Sequence, residues 1–406
     1  MPAEPLIDCD FPGGNIIVEK IDGDTAFVRQ DLRDTEGDWF YWHFRVRGAA
    51  GRTIRFRFTG TDVFGAAGPA VSTDASRTWR WLGRDSFADK AFAFAFPPGA
   101  ADVRFCFAIP YVESNLRQFL ARIGHSASTR SDTPIVRDAP ILPDADAGAN
   151  LVFAHSVLCR SRKGRDVELL RFGCIGRPPH HRVLLACRHH CCEMMAGYEL
   201  EGVIEAALAN DADGDWFRRS VEFLAVPFID KDGVEDGDQG KNRRPHDHNR
   251  DYGGGDPAAS IYPETAALRR LIAEWSQGRL RMAFDLHCPW IRGPMNEDIF
   301  FVGTPDQRAW EAAGRFSTIL ERERHGPLPF DPAKNLPFGK DWNTGAPPGQ
   351  KSFGRWAGEL PGVAFGTTIE LPYAVAGGVS VTPESARAFG KDLAKAMRTF
   401  IESECE

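Results

Sequence analysis

No stretch of this 406-residue sequence approaches the roughly 18 consecutive apolar residues that a membrane-spanning helix needs. A basic excess is also missing. The 49 Lys and Arg stand against 56 Asp and Glu, for a net charge of −7, which argues against general nucleic-acid binding. The N-terminus, MPAEPLIDCDFPGG, has neither the basic region nor the apolar region of a secretory signal. Nine cysteines, an odd number scattered from Cys9 to Cys405, do not make a disulfide framework in a chain of this length. Internal repeats and low-complexity tracts are absent. The expectation is a reduced, cytoplasmic protein with no membrane and no nucleic-acid partner. Its 43% hydrophobic and 26% charged residues are ordinary for a globular chain long enough for two or three domains.

What is present falls into two halves. Up to about residue 124 the chain is a series of short apolar-aromatic runs broken by turn residues. NIIVEKIDGDTAFVRQDL carries an Asp-Gly turn between two candidate strands, and GDWFYWHFRVRGAAGRTIRFRFTG gives two alternating runs. RTWRWLG, KAFAFAF and DVRFCFAIPYV continue the series, which predicts an antiparallel β-sandwich over residues 1–124. Trp39, Phe40, Tyr41, Trp42 and Phe44 read as core and sheet packing. The stretch 125–150, rich in Ser, Pro, Asp and Gly, reads as a boundary segment. Beyond it, continuous apolar runs at 182–187 and 221–229 alternate with segments of helical spacing. Pro263 suits the first turn of one such helix and Gly278 its C′ position, and Thr382 and Pro383 open another. This pattern predicts a mixed α/β sheet with helices on both faces over residues 125–406.

The chemistry-bearing residues gather at predicted strand ends, where α/β sheets present functional groups. CRHHCCE places His190 and Glu193 three residues apart at a strand-to-helix turn, so both can reach one metal ion. Asp285-Leu286-His287 and Glu370 end two further runs. Two His and one Glu leave a fourth tetrahedral position open, the arrangement of catalytic zinc, with Glu370 spare as a general base. A cysteine-rich knuckle of Cys187, His190, Cys191 and Cys192 would need a second Cys/His pair that the sequence does not supply. The loop VPFIDKDGVEDGDQGKNRRPHDHNRDYG concentrates Lys241, Arg243, Arg244 and Arg250 beside Asp247 and Asn249, as recognition of a terminal carboxylate requires. His246 and His248 read as loop packing.

In this order, His190/Glu193, Asp232-Gly233-Val234…Asn249-Arg250, His287 and Glu370, the sequence resembles the M14 zinc carboxypeptidases, and more closely their cytosolic carboxypeptidase branch. GDWFYWHFRV, RTIRFRFTG and AIPYVESNLRQFL resemble that branch's N-terminal β-sandwich, so the likeness covers nearly the whole chain. The resemblance implies one zinc ion held by His190, Glu193 and His287, with Glu370 as base. It implies that Asn249 and Arg250 grip the C-terminal carboxylate and that Asp247 supports a zinc-binding His. Arg243 is assigned to polarise the scissile carbonyl, with Lys241 and Arg244 as alternatives. Arg355, or else Lys351, falls at the floor of the side-chain pocket, where a buried cation favours an acidic C-terminal residue. The sequence departs from the family in HCCE where relatives have HPGE, in FDLHCPW where they have D-x-H-G-H-S, and in having no tyrosine in the segment before Glu370.

The implied activity is hydrolysis of the last peptide bond of peptides or protein tails. Two other readings share the same residues: a zinc amidohydrolase acting on N-acyl amino acids or cell-wall peptides, and a binding module without turnover.

Overall fold

Ten short strands open the chain in the computed structural model, which describes residues 4–128, 135–137 and 151–404. They are β1 (Leu6–Asp8), β2 (Ile17–Asp22), β3 (Thr25–Arg29), β4 (His43–Arg47), β5 (Thr53–Phe58), β6 (Ala70–Ser72), β7 (Arg80–Trp81), β8 (Phe87–Ala88), β9 (Ala91–Ala95) and β10 (Val103–Cys106). Two five-stranded sheets result, ordered β1-β4-β10-β6-β7 and β2-β3-β5-β9-β8. Alternation drives the packing: in β5, Ile54, Phe56 and Phe58 are buried while Thr53, Arg55 and Arg57 are exposed. Phe56 meets Phe44, Phe92 and Phe105 at ring-centroid distances of 5.1, 5.0 and 5.3 Å, which locks the two sheets face to face.

Two details differ from the sequence expectation. One pair, β3 with β5, is parallel, because the intervening β4 belongs to the other sheet and the chain returns in its original direction. The run from Trp39 becomes a strand only at His43; Phe40, Tyr41 and Trp42 are buried without strand pairing.

After α1 (Glu113–Ser128) comes the stretch read as a domain boundary. Apart from 125–128 and 135–137 it lies outside the described residues. The second half comprises β11 (Ile135–Arg137), β12 (Phe153–Arg160), β13 (Asp166–Gly173), β14 (His181–Cys187), α2 (Met195–Ala207), α3 (Ala212–Ser220), β15 (Val221–Val226) and α4 (Lys231–Asp236). It continues through α5 (Pro263–Trp275), β16 (Leu280–His287), β17 (Phe300–Val302), α6 (Gln307–Glu323), α7 (Phe353–Gly358), β18 (Phe365–Glu370), β19 (Val375–Ala376), β20 (Val379–Ser380) and α8 (Pro383–Ser403). Eight strands form one mixed sheet, ordered β11-β12-β13-β15-β14-β16-β18-β17. Its middle strands β15, β14, β16 and β18 run parallel. In β14, Val183 and Leu185 face one apolar cluster with α2, α6 and α8, while Leu184 and Ala186 face another with α5 and α7. A strand buried on both faces has to be apolar throughout, which is why the run was legible.

Helix ends largely follow their signals. Thr382 and Ser385 form a reciprocal capping box at α8. At α5, Gly278 is not the C′ residue: the helix closes on Ser276, and Gln277 enters the left-handed region at φ 45° before Gly278 does so at φ 68°. No helix among the described residues is long and apolar enough to cross a membrane.

Candidate metal centre and cleft

Parallel pairing brings the functional strand ends together. β14 and β16 align Cys187 with Leu286, and β16 and β18 align His287 with Glu370. The turn after β14 then carries His189, His190 and Glu193 to the start of α2. Arg188, only 1% exposed, fixes that turn by donating to the carbonyls of Tyr111 (2.7 Å) and Cys191 (3.0 Å).

Three side chains converge here. His190 Nδ1 lies 3.0 Å from Glu193 Oε1, His287 Nδ1 lies 2.6 Å from Glu193 Oε2, and one donor atom from each falls within 4.8 Å of the others. Glu370 Oε2 is a buried carboxylate oxygen with no hydrogen-bond partner, and Glu193 Oε2 has only the His287 ring beside it. Buried oxygens are rarely left so, and two imidazoles with one carboxylate are a donor set that a divalent cation satisfies. The residues therefore fit a metal ion. Neither group of described residues able to hold a metal includes a cysteine, and Cys187, Cys191 and Cys192 are buried fillers.

A second layer supports the first. Asp285, two residues before His287 on the same face of β16, sits 2.7 Å from His287 Nε2 and accepts from His189 Nδ1 at 2.6 Å. His189 Nε2 in turn accepts from the Tyr252 hydroxyl at 2.7 Å. Such carboxylates fix the orientation of a ligating ring. On the other side, Asp247 Oδ1 is 3.7 Å from His190 Nε2. The part played by Asp285 was readable in the i, i+2 spacing of Asp-Leu-His on a strand. That of His189 and Tyr252 was not.

Charge is tightly balanced. Burial opposes ionisation of Glu193, but Lys241, His287 and His190 outweigh it and hold the carboxyl well below its ordinary range. Burial likewise opposes ionisation of Asp285, which His189 and His287 hold down at about 2. Glu370 goes the other way: burial, reinforced by Glu193, pushes it up to about 7. It is a carboxyl ready to exchange a proton near neutrality.

The loop after α4 is where sequence expectation and structure part. Arg243 does not line the cleft. Its guanidinium is held by three carboxylates, Asp34 (2.9 Å), Asp230 (2.6 Å) and Asp238 (3.1 Å), so each of its three nitrogens already faces a carboxylate. Arg244 is exposed and pairs with Glu36. Of these three candidates Lys241 reaches the cleft, its Nζ 2.6 Å from Glu193 and 4.9 Å from the Trp39 ring centroid. Gly240, immediately before it, has φ +76°, and a Cβ there would sit 2.5 Å from the Cys191 nitrogen. Only glycine fits that approach.

The remaining candidates line a cleft of about 520 Å³ that opens onto His190, His287 and Glu370. Asn249 accepts from the Phe353 amide at 3.0 Å, which docks its loop on α7. Arg250 lines the cleft with no carboxylate in salt-bridge reach among the described residues. Arg355 is not buried: it is 42% exposed at the cleft wall and pairs with Glu359 at 3.4 Å, and Lys351 pairs with the other oxygen of the same carboxylate. His246 and His248 pack the loop, against Asp251 and Tyr262 respectively. Trp39, read as core, packs against the apolar cluster and also forms part of the cleft wall with Trp290, their ring centroids 5.0 Å apart. Phe338 and Trp342 line the cleft as well.

No model of a known protein family matches the chain. An uncharacterised protein of Zymomonas mobilis is 24% identical over 270 residues, which are 65% of this chain and 63% of that protein, so the chain matches less than two thirds of its curated relative. Among solved structures, a metallo-carboxypeptidase from Burkholderia cenocepacia superimposes with TM-score 0.74 at 20% identity, covering 99% of this chain and 100% of that one. A metallo-carboxypeptidase from Pseudomonas aeruginosa, in complex with (2-guanidinoethylmercapto)succinic acid, gives TM-score 0.70 at 19% identity, covering 98% of this chain and 99% of that one. The fold is the mixed α/β fold of the bacterial metallo-carboxypeptidases, with the strands of the first half included in the match.

Proposed function

We propose that the protein is a zinc-dependent metallocarboxypeptidase that releases the C-terminal residue of peptides or protein tails, with a preference for acidic ends. The observation that carries this reading is the meeting, in one cleft, of a metal-competent triad, a buried carboxyl at the adjoining strand end and a guanidinium with no carboxylate in salt-bridge reach. His190, Glu193 and His287 would hold the ion, which supplies Lewis-acid polarisation of the carbonyl and of water when bound.

The protein's own groups do the rest. Arg250 and Asn249 take the terminal carboxylate, the one with a charge-assisted pair and the other from a loop anchored on α7. Lys241, in place of Arg243, donates to the oxygen on which negative charge develops. Glu370 takes a proton from the attacking water and returns it to the leaving amine. The preference for acidic ends draws its support from Arg355 and Lys351, two cations of the cleft wall that share one carboxylate, Glu359. The two-sheet first half is the feature that favours the cytosolic carboxypeptidase branch.

The test is mass spectrometry of peptides ending in Glu, Asp, Lys, Phe or γ-linked Glu, beside small N-acyl amino acids, incubated with zinc-loaded enzyme. Stepwise loss of acidic ends is expected, and none with Glu370→Gln, which keeps its metal. Cleavage of N-acyl amino acids alone would replace the reading with an amidohydrolase, and no cleavage at all with a binding module.

A further inference from the structure

Lys241 is held in place by the other half of the chain. It belongs to the loop 238–244, and the backbone around it is bonded to residues 31–41, about 200 positions earlier. Asp34 is the centre of the contact. Its Oδ1 accepts from the Gln239 amide at 2.9 Å, and its Oδ2 accepts from the Gly240 amide at 2.9 Å and from Arg243 Nε at 2.9 Å. The Gln239 side chain is gripped in turn, accepting from the Tyr41 amide at 2.7 Å and donating to the carbonyls of Tyr41 (2.9 Å) and Asp31 (3.1 Å). The Thr35 hydroxyl donates to the Lys241 carbonyl, and the Glu36 amide to that of Asn242 at 3.2 Å.

These bonds clamp the backbone immediately before, at and after Lys241. The side chain beyond is long and flexible, held at its tip by Glu193 and the Trp39 ring, and it must set its ammonium within a few tenths of an ångström of its productive position. A carboxylate is suited to the task, because it accepts from two successive amides while the Arg243 guanidinium neutralises it. Arg243 is anchored independently by Asp230 and Asp238.

We propose that Asp34 is a positioning residue for Lys241, which makes the N-terminal half a working part of the active site. This rests on the reading of Lys241 as the group that stabilises the reacting carbonyl. The experiment is a double-mutant cycle on the full-length, zinc-loaded protein. Asp34→Ala should lose about 10- to 100-fold in kcat/KM, mostly in kcat, with bound zinc unchanged. In a Lys241→Ala background the same substitution should cost less than about twofold, because the residue it acts through is gone. Asp34→Asn, which keeps one amide acceptor, should fall between and carries the cycle if the alanine variant does not fold.

A second readout needs no turnover: acetylation of Lys241 by a small acylating reagent, followed by mass spectrometry, should be several-fold faster in the Asp34 variants. Equal losses in both backgrounds, or unchanged acetylation, would overturn the proposal. If the native enzyme cleaves no peptide, the carboxypeptidase reading fails by itself, and the acetylation rates alone decide whether Asp34 holds Lys241.

Discussion

Two buried glutamates show how far a residue's surroundings decide its use. Glu370 ends a strand at the cleft and is one of several groups whose charges respond to one another. Glu199 lies on α2 against α8, fully buried, with neither carboxylate oxygen bonded, and burial alone pushes it up to about 8. At 0% exposed it has no solvent to meet its charge, so ionisation costs the fold. The sign follows from linkage. A carboxyl whose folded value lies above its ordinary 4.5 costs nothing while both states are protonated, and stability is lost as pH rises from about 4.5 through 8. Glu199→Leu should remove that slope and raise stability at pH 8 by a few kcal/mol, at about 1.4 kcal/mol for each pH unit of displacement. Denaturant melts of both proteins at pH 5 and pH 8 check this. A variant with the native protein's pH slope would show that some other group carries it.

At the scale of elements, α7 is a short helix with a specific task. It presents Arg355 to the cleft wall, packs through Phe353 and Ala357, and receives the Asn249 loop through the Phe353 amide. Because Arg355 is half-exposed and already beside Glu359, its pull on an acidic terminal residue is partly offset. Arg355→Ala should therefore lower the Glu-over-Phe ratio in kcat/KM by about tenfold rather than abolish it, and Glu359→Gln should raise that ratio. Unchanged ratios in both variants would move the selecting role to Lys351 or Arg250.

The same scale shows what was legible. β14, β16 and β18 announced themselves as runs leading into His or Glu, at the strand end in β16 and β18 and in the turn just past it in β14, because a doubly buried strand and a strand-end ligand each leave a local trace. β12 and β13 left none: FAHSVLCR and DVELLRFG mix charge with apolar residues, since β12 is half-exposed and the buried Glu168 of β13 is paired with Lys231 across the fold. Lys241 and Arg243 are two residues apart with the same charge. What separates them is Asp34, whose place beside Arg243 no local pattern records. The cleft-facing side of Trp39 was hidden for the same reason, because whether an aromatic residue that packs on a core also walls a cleft depends on what stands opposite.

For the molecule as a whole, we propose that residues 1–124 and 125–406 are two architectural domains that unfold as one. A single apolar cluster runs from Ile16 to Ile401. Tyr373 meets Phe40 and Phe107 at centroid distances of 5.7 and 4.9 Å, and Tyr111 meets Tyr198 and Phe228 at 4.8 and 5.9 Å. α2 approaches so closely that a Cβ on Gly197 would lie 2.5 Å from the Tyr111 ring. Polar bonds cross the same seam: Tyr111 donates to Glu201 at 2.9 Å, Trp81 to the Val381 carbonyl at 3.0 Å, Asn15 to the Gly237 carbonyl at 2.7 Å, and Lys231 pairs with Glu113 at 2.6 Å. Separating the halves would expose these aromatic rings and strand buried polar partners, so neither half gains by unfolding late. Calorimetry should give one endotherm whose calorimetric and van't Hoff enthalpies agree, and saturating zinc should move that endotherm upward as a unit. Two resolved transitions, only one of them responding to zinc, would show that the halves are independent. In that case Asp34 would have no rigid platform from which to hold Lys241.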